Sequence, residues 1–447
     1  MSSTSSAARA LRALRFSGPV HRPGETGYEE QRQAPFAPID PRPALIAEAT
    51  GAADVRAAIS AAREYGLPAA VQATGHGTRV PCDGGLLLKT SRMAAVLVDP
   101  DRRIARVGPG ARWRAVLDAA APFGLAPLSG SHAGVGVTGY TLGGGWGWLG
   151  RRYGLAADSV LRAQVVTADG RLITASPDSH PDLLWALRGG GGNFGVVTSL
   201  EFRLHPVESV LAGTAYFPIE GAADTLARYR DWTADAPGEL STAVLLTRAP
   251  DDPDVPGHVR GRRVLAIKAM YAGEAGQGAR LLDPLWRAAG PMLHNGMRPM
   301  RYAEAEMGGT QPRRLELFER LPDPVIETLV TVSARANVEI RHWGGTIADP
   351  GPGAGGAGHR DAHLSVIVDD DPPGLAAALR PHATGGSLLN FLHDPEATET
   401  AYTRENHRRL REIKGRYDPD NAFRLGHTIP PANRAAVPEP RRHTSVS

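Results

Sequence analysis

The chain has 447 residues, 42% hydrophobic and 22% charged, with 50 Lys plus Arg against 47 Asp plus Glu. Its length predicts two or three domains with a large core, and its ordinary composition excludes disordered and fibrous classes. The near-balanced charge without a long basic run argues against a nucleic-acid partner, no stretch reaches the ~18 apolar residues that span a bilayer, and the single cysteine, Cys82, excludes an intrachain disulfide and a Cys-based zinc cluster.

Arginines interrupt the apolar residues of MSSTSSAARALRALRFSG, which fits a secretory leader poorly and makes a cytoplasmic location the expectation. Residues 1–37, rich in Pro, Ser and Arg, read as an arm lying over the body. In GAADVRAAISAAREYGLPAAVQA the residues Val55, Ala58, Ile59 and Ala62 recur at helical spacing, Gly66 supplies a stop and Pro68 prevents continuation. The run Ala69 to Ala73 then reads as a buried strand that delivers His76, set between Gly75 and Gly77, to its tip.

GGLLLKTSRM and AAVLVDPDRRIARVGPG read as short strands, the second pair joined by the turn DPDRR. A helix follows with Trp113, Val116, Leu117 and Ala120 on one face, ending at Gly124. Two more strands are expected in LRAQVVTADG and GVVTSLEFRL. From about residue 209, helical segments such as GAADTLARYRDWTADAPG mix with strands such as ANVEIRHWGG and HLSVIVDD, as for a second domain on an antiparallel sheet. Alternation puts Asn337, Glu339 and Arg341 on one face and Val338, Ile340 and His342 on the other. The insert 349–360, DPGPGAGGAGHR, reads as a mobile loop.

Between Gly130 and Gly154 ten of 25 residues are glycine, a density that brings backbone N–H groups close to a ligand such as a phosphate. Tyr140, Leu142, Trp146, Trp148 and Leu149 are interleaved as packing residues, which argues against a flexible linker. GVGVTG within it matches the dinucleotide fingerprint G-x-G-x-x-G, but it follows APLSGSHA rather than a strand and runs into YTLGGGWG, which is not expected to start a stable helix. GGGGNFG at 189–195 lacks the Gly-Lys-Ser/Thr of a P-loop.

Four strings in order, ATGHG, VGVTGYTLGGGWGWLGRRYGLAADSV, HPDLLWALRGGGGNFGVVT and YDPDNAFRLGHTIPP, resemble the FAD-linked oxidases of the vanillyl-alcohol oxidase and p-cresol methylhydroxylase (PCMH) type, in the branch with a berberine-bridge-enzyme-like C-terminus. The resemblance runs from about 15 to 432 and implies an α+β fold: an FAD domain over 38–208, a substrate domain with helices covering an antiparallel sheet over 209–385, and a C-terminal segment 386–435 returning to the FAD domain before a tail, 436–447. It implies FAD bound in extended form by Ala73, Thr74, Gly75, His76, Gly77 and Thr78 and by Ser131, His132, Val135, Gly136, Gly139, Tyr140, Gly143 and Gly144, with Gly195 and Val197 contributing. His76 is then the residue bonded to the flavin 8α-methyl carbon, since a neutral imidazole is a competent nucleophile.

The chain departs from this family at three places. His132 in HAGVG stands where some relatives carry the cysteine of a second flavin link, so that link is excluded there. Leu388 replaces the tyrosine of a Tyr-x-Asn string, with Asn390 kept, and Gly426, His427 and Thr428 stand where relatives show Asn-Gln-Asn. The leading expectation is an oxidase passing a hydride from a small or mid-sized organic molecule (a secondary metabolite, sugar, alcohol or amine, or a reduced quinone) to flavin N5, with dioxygen as acceptor. Tyr140, as a flavin neighbour and proton relay, and Glu339 are the catalytic candidates, with Arg341 and His363 beside them. Two other readings stand: a flavin-containing ligand-sequestering or resistance protein, supported by Leu388, and a nicotinamide-dependent reductase, resting on GVGVTG alone.

Overall fold

The computed structural model describes residues 3–36, 38–253 and 255–432; the expected tail lies outside them. The first helix of the body forms as Ala52–Glu64, with Val55, Ala58, Ile59 and Ala62 buried, and left-handed Gly66 (φ 65°) ends it. It packs on a four-stranded sheet in the order Val20–His21, Leu45–Glu48, Leu86–Lys89, Ala69–Gln72, whose last three strands are parallel.

The N-terminal stretch is more than an overlying arm. Helix Ser3–Ala13 buries Ala7, Ala8 and Leu11 in the same core as Ala52–Glu64, and Val20–His21 adds an antiparallel edge to the sheet. Its apolar side chains recur at helical spacing, a stripe that the density of Ser and Arg hides. Buried Asp54 ties the two together, accepting from Ser17 N–H (2.7 Å) and Thr50 N–H (2.8 Å).

The second sheet is antiparallel, in the order Val96–Asp99, Ile104–Val107, Val196–Arg203, Val160–Val166, Leu172–Ala175. Helix Trp113–Ala120 buries the four residues predicted for its inner face, and the chain turns at Gly124 (φ 65°).

The third sheet is antiparallel and runs His294–Asn295, Ser209–Pro218, Arg263–Tyr271, Leu240–Arg248, Val338–His342, Leu364–Val368, Arg314–Phe318, with Arg298–Arg301 also paired to Ser209–Pro218. Helices Ala222–Trp232, Ala275–Ala289 and Asp323–Val332 cover one face through Leu226, Leu285 and Leu329 against Val244, Ile267 and Ile340. The opposite face, carrying Ala243, Leu245 and Ala266, shares a core with Trp146, Trp148 and Leu149 of the glycine-rich segment. Val338–His342 is therefore buried along its whole length.

Helix Arg404–Tyr417 starts at Thr403, whose hydroxyl accepts from Asn406 N–H (3.2 Å), and inserts Leu410 and Ile413 into the core of the first half. The insert expected as a mobile loop is docked over its second half: Gly355, Gly356 and Ala357 are buried, the two glycines lying against Arg188 and Leu410. No described helix is long and apolar enough to cross a membrane.

His205, on a two-strand ladder with Leu125–Ala126, stacks on Tyr153 at 4.0 Å with its Nε2 sealed from solvent. Burial first, then Arg203 and Arg152, lowers its pKa from 6.5 to about 4. The fold therefore holds it neutral, and its contribution is complete above the unfolded value and lost as pH falls toward 4, about 3 kcal/mol at the limit. His205→Phe is expected to flatten the fall in urea midpoint between pH 6.5 and 4; an unchanged slope would refute the assignment.

Candidate active site

Strand Ala69–Gln72 is half-covered rather than buried, because Val71 (43% exposed) looks into a cleft of about 400 Å³. The loop beyond it explains the two glycines. Gly75 takes a left-handed conformation (φ 76°), and a Cβ there would lie 2.7 Å from Gln72 Nε2 and 2.8 Å from Pro35. Gly77 has nothing within 4 Å of its Cβ position, so its side faces open space. The first glycine makes the turn and the second leaves the cleft clear.

Thr78 N–H closes the turn onto Gly75 C=O (3.0 Å), and His76 N–H reaches only toward Thr74 Oγ1 at 3.5 Å. Among the described residues the Gly75 and Gly77 amides meet no acceptor, which leaves them for an anion. The His76 ring is exposed to the cleft, and partial burial, then Arg79 and His132, lowers its pKa, so the imidazole is neutral and nucleophilic at neutral pH.

The opposite wall is the glycine-rich segment. A short helix, Val137–Leu142, forms after Gly136 although its sequence predicts none, and the two-residue strand Leu125–Ala126 ahead of it does not make the strand-turn-helix unit of a nicotinamide site. The burial of Val137 and Leu142 supplies what helix propensity lacks. Gly139 faces the cleft with nothing within 4 Å of its Cβ position, and Gly136 packs on Thr74. Asn390 clamps the segment from the C-terminal side: its Oδ1 accepts from Gly145 N–H (2.8 Å) and its Nδ2 donates to Tyr140 C=O (2.9 Å), a fit that leaves 2.7 Å between Nδ2 and a Cβ on Gly143.

Ala73 to Thr78, Ser131, His132, Val135, Gly136, Gly139, Tyr140 and Gly143 all line this cleft. Three predicted cofactor residues do not. Gly144 (φ 111°) lies behind it against Leu388, Gly195 (φ 146°) leaves room for Val165 and the Val166 carbonyl, and Val197 is buried in the second sheet opposite Val165. Sheet packing accounts for Gly195 and Val197, and contact with the C-terminal segment for Gly144.

Of the catalytic candidates, Tyr140 lines the cleft as expected of a flavin neighbour; its hydroxyl donates to Trp146 C=O (2.6 Å), and burial holds its phenol well above the ordinary range. Glu339 is fully buried behind Arg341 instead of on a solvated face or at the cleft, with Oε1 taken by Arg341 Nε (2.6 Å) and Oε2 by Thr310 N–H (2.5 Å). His363 lies away from the cleft, bonded to Thr233 (3.1 Å) and edge-on to His342. Leu388, at the place of the family tyrosine, is buried beneath Gly144 and does not line the cleft.

Other lining residues escaped sequence reasoning: Arg79, Gly309–Pro312, Leu389, Phe391 and Leu392, together with Leu425. Adjacent glycines at 308 and 309 were the one signal for the second of these. Cys82 closes the floor, its thiol pushed up to about 12 by burial and so inert.

Cleared glycines, free amides and a neutral imidazole along one cleft fit a dinucleotide cofactor. Fold and cleft together define a two-domain α+β flavoprotein oxidoreductase. The family profile described as "FAD binding domain" matches residues 43–176, and the one described as "Berberine and berberine like" matches 385–430. The (R)-6-hydroxynicotine oxidase of Paenarthrobacter nicotinovorans is 30% identical over 94% of this chain and 98% of its own. The crystal structure of 6-hydroxy-D-nicotine oxidase from Arthrobacter nicotinovorans superposes with a TM-score of 0.81 at 28% identity, covering 94% of this chain and 99% of that one. Glucooligosaccharide oxidase from Acremonium strictum, whose structure is described with a 6-S-cysteinyl, 8α-N1-histidyl FAD, shares the fold with a TM-score of 0.81 at 22% identity over 96% and 100% of the two chains. The chain belongs to the berberine-bridge-like branch of the PCMH-type FAD-linked oxidases and is an FAD-dependent oxidoreductase.

Proposed function

We propose that this protein is an oxidase that takes a hydride from a small or mid-sized organic substrate and passes the electrons to dioxygen, with FAD attached through His76. The observation that carries the proposal is the placement of His76 on a glycine-cleared turn, opening onto the bare Gly139 face across one cleft. Bound FAD supplies hydride acceptance at N5 and reoxidation by dioxygen.

The chain's own residues bind and orient. The Gly75 and Gly77 amides would hold the cofactor's pyrophosphate, and neutral His76 is the side chain that would carry the flavin. Asn390 fixes the glycine wall against the C-terminal segment, while Trp146, Leu389 and Phe391 line the cleft and would exclude water from it once the cofactor is bound. Tyr140 fixes the Trp146 backbone as a positioning residue.

The test is the mass of the proteolytic peptide that carries His76. An increment equal to FAD is expected, and His76→Ala should release all flavin on denaturation; an unmodified peptide from flavin-loaded protein refutes the attachment.

The ligand-sequestering reading keeps one specific support, since no Asp or Glu lines the cleft and Leu388 stands in place of the family tyrosine. Substrate-dependent peroxide release separates the two: oxidase turnover produces it, and a sequestering protein does not.

A further inference from the structure

We propose that Arg341 is the group that selects the substrate, binding a planar carboxylate on it; this rests on the flavoenzyme reading above. Arg341 stands on the buried strand Val338–His342 of the third sheet and lines the same cleft as His76. It is 4% exposed. Glu339 Oε1 accepts from Nε at 2.6 Å, fixing one edge of the guanidinium. Among the described residues neither Nη donates a hydrogen bond, and neither is sealed away from solvent-accessible space.

The ring faces around it hold the plane. The guanidinium carbon sits 4.7 Å from the Trp146 centroid and 5.4 Å from that of Phe391, so the fork lies over two aromatic side chains that also line the cleft. Gly309 makes the remaining room: a Cβ there would be 2.5 Å from Nη2. Glu339 is itself saturated by Arg341 and the Thr310 amide, and Lys268 spends its ammonium on Met307 C=O (2.5 Å). Arg341 therefore presents its positive charge to a cleft that no Asp or Glu lines.

A desolvated guanidinium with one edge anchored and the other open is built for bidentate recognition of a carboxylate, and a cationic amine there would meet repulsion without compensation. A structural role for Arg341 would need only the Glu339 bond. It would not need an Nη pair left without a partner at a cleft wall.

The flavin-loaded protein should be titrated with acetate, benzoate, phenylacetate and indole-3-acetate, and with benzamide and phenylacetamide, following the visible flavin band. At least one carboxylate is expected to perturb the band saturably, with its amide binding roughly 30-fold or more weakly. Arg341→Gln should erase the preference, and Arg341→Lys should retain part of it because charge survives without the fork. The double variant Glu339→Gln/Arg341→Gln keeps the net charge of the group and leaves no buried carboxylate unpaired, so the same loss there excludes misfolding as its cause. No response to any carboxylate, equal binding of acid and amide, or carboxylate binding unchanged in Arg341→Gln overturns the proposal. Thermal denaturation with the same probes reads Arg341 in flavin-free protein too, so absence of flavin would sink the oxidase reading and leave this one to be decided by its own result.

Discussion

Asp418→Ala is expected to cost about 3–5 kcal/mol of unfolding free energy, the range for removing one member of a buried ion pair. Asp418 and Lys414 are both fully buried, with Lys414 Nζ 2.5 Å from Asp418 Oδ2 and 2.8 Å from Asn193 C=O. The carboxylate also accepts Ala422 N–H (2.7 Å) and Phe423 N–H (3.0 Å), so its loss strands two amides as well as a cation. Lys414→Met should cost less, since Asp418 keeps both amide donors. Urea unfolding of the two variants checks the order, and a cost below ~1 kcal/mol for Asp418→Ala would refute it. The effect reaches the active site. Residues 418–427 carry Leu425, Gly426 and His427 to the cleft, and Ala422 C=O accepts Ala69 N–H (2.9 Å) at the start of the strand that ends in the His76 loop.

Legibility in the sequence followed how much of an element faces solvent. Ala52–Glu64 and Trp113–Ala120 each have one wet face, so their apolar residues recur at helical spacing and their inner faces could be read directly. Strands Ser209–Pro218, Leu240–Arg248 and Arg263–Tyr271 lie between helices and the glycine-rich half, so both faces are largely buried and alternation disappears. The histidine loop was legible because two glycines flanking one imidazole is a pattern that packing alone seldom requires. Glu339 was misjudged for the opposite reason: alternation placed it correctly on the Arg341 face, yet nothing local shows that Arg341 stands between it and the cleft. Gly195 and Gly144 read like cofactor glycines because glycine density looks alike whether the backbone approaches a ligand, a strand or a packed side chain.

Gly139→Leu is expected to leave a folded protein that incorporates little FAD, the reversible binding that precedes attachment being weakened roughly tenfold or more, ~1.4 kcal/mol at least. Gly139 lies in helix Val137–Leu142, is exposed to the cleft, and has no atom within 4 Å of its Cβ position, so a side chain meets cofactor space before it meets protein. Replacing a helical glycine should raise apoprotein stability by up to ~1 kcal/mol, and Gly139→Ala, with a single methyl, should show that gain with much of the flavin retained. Gly75→Ala provides the contrast. At φ 76°, with Gln72 Nε2 2.7 Å from the new Cβ, its harm is to the turn itself, about 1–2 kcal/mol of strain before any cofactor is considered. Flavin-to-protein ratio and melting temperature, measured together on the three variants, separate a blocked site from a broken loop. Gly139→Leu protein that retains full flavin with an unaltered spectrum would show that the cofactor does not lie along the 137–142 helix, and would remove the main support for a cleft shared between His76 and the glycine-rich wall.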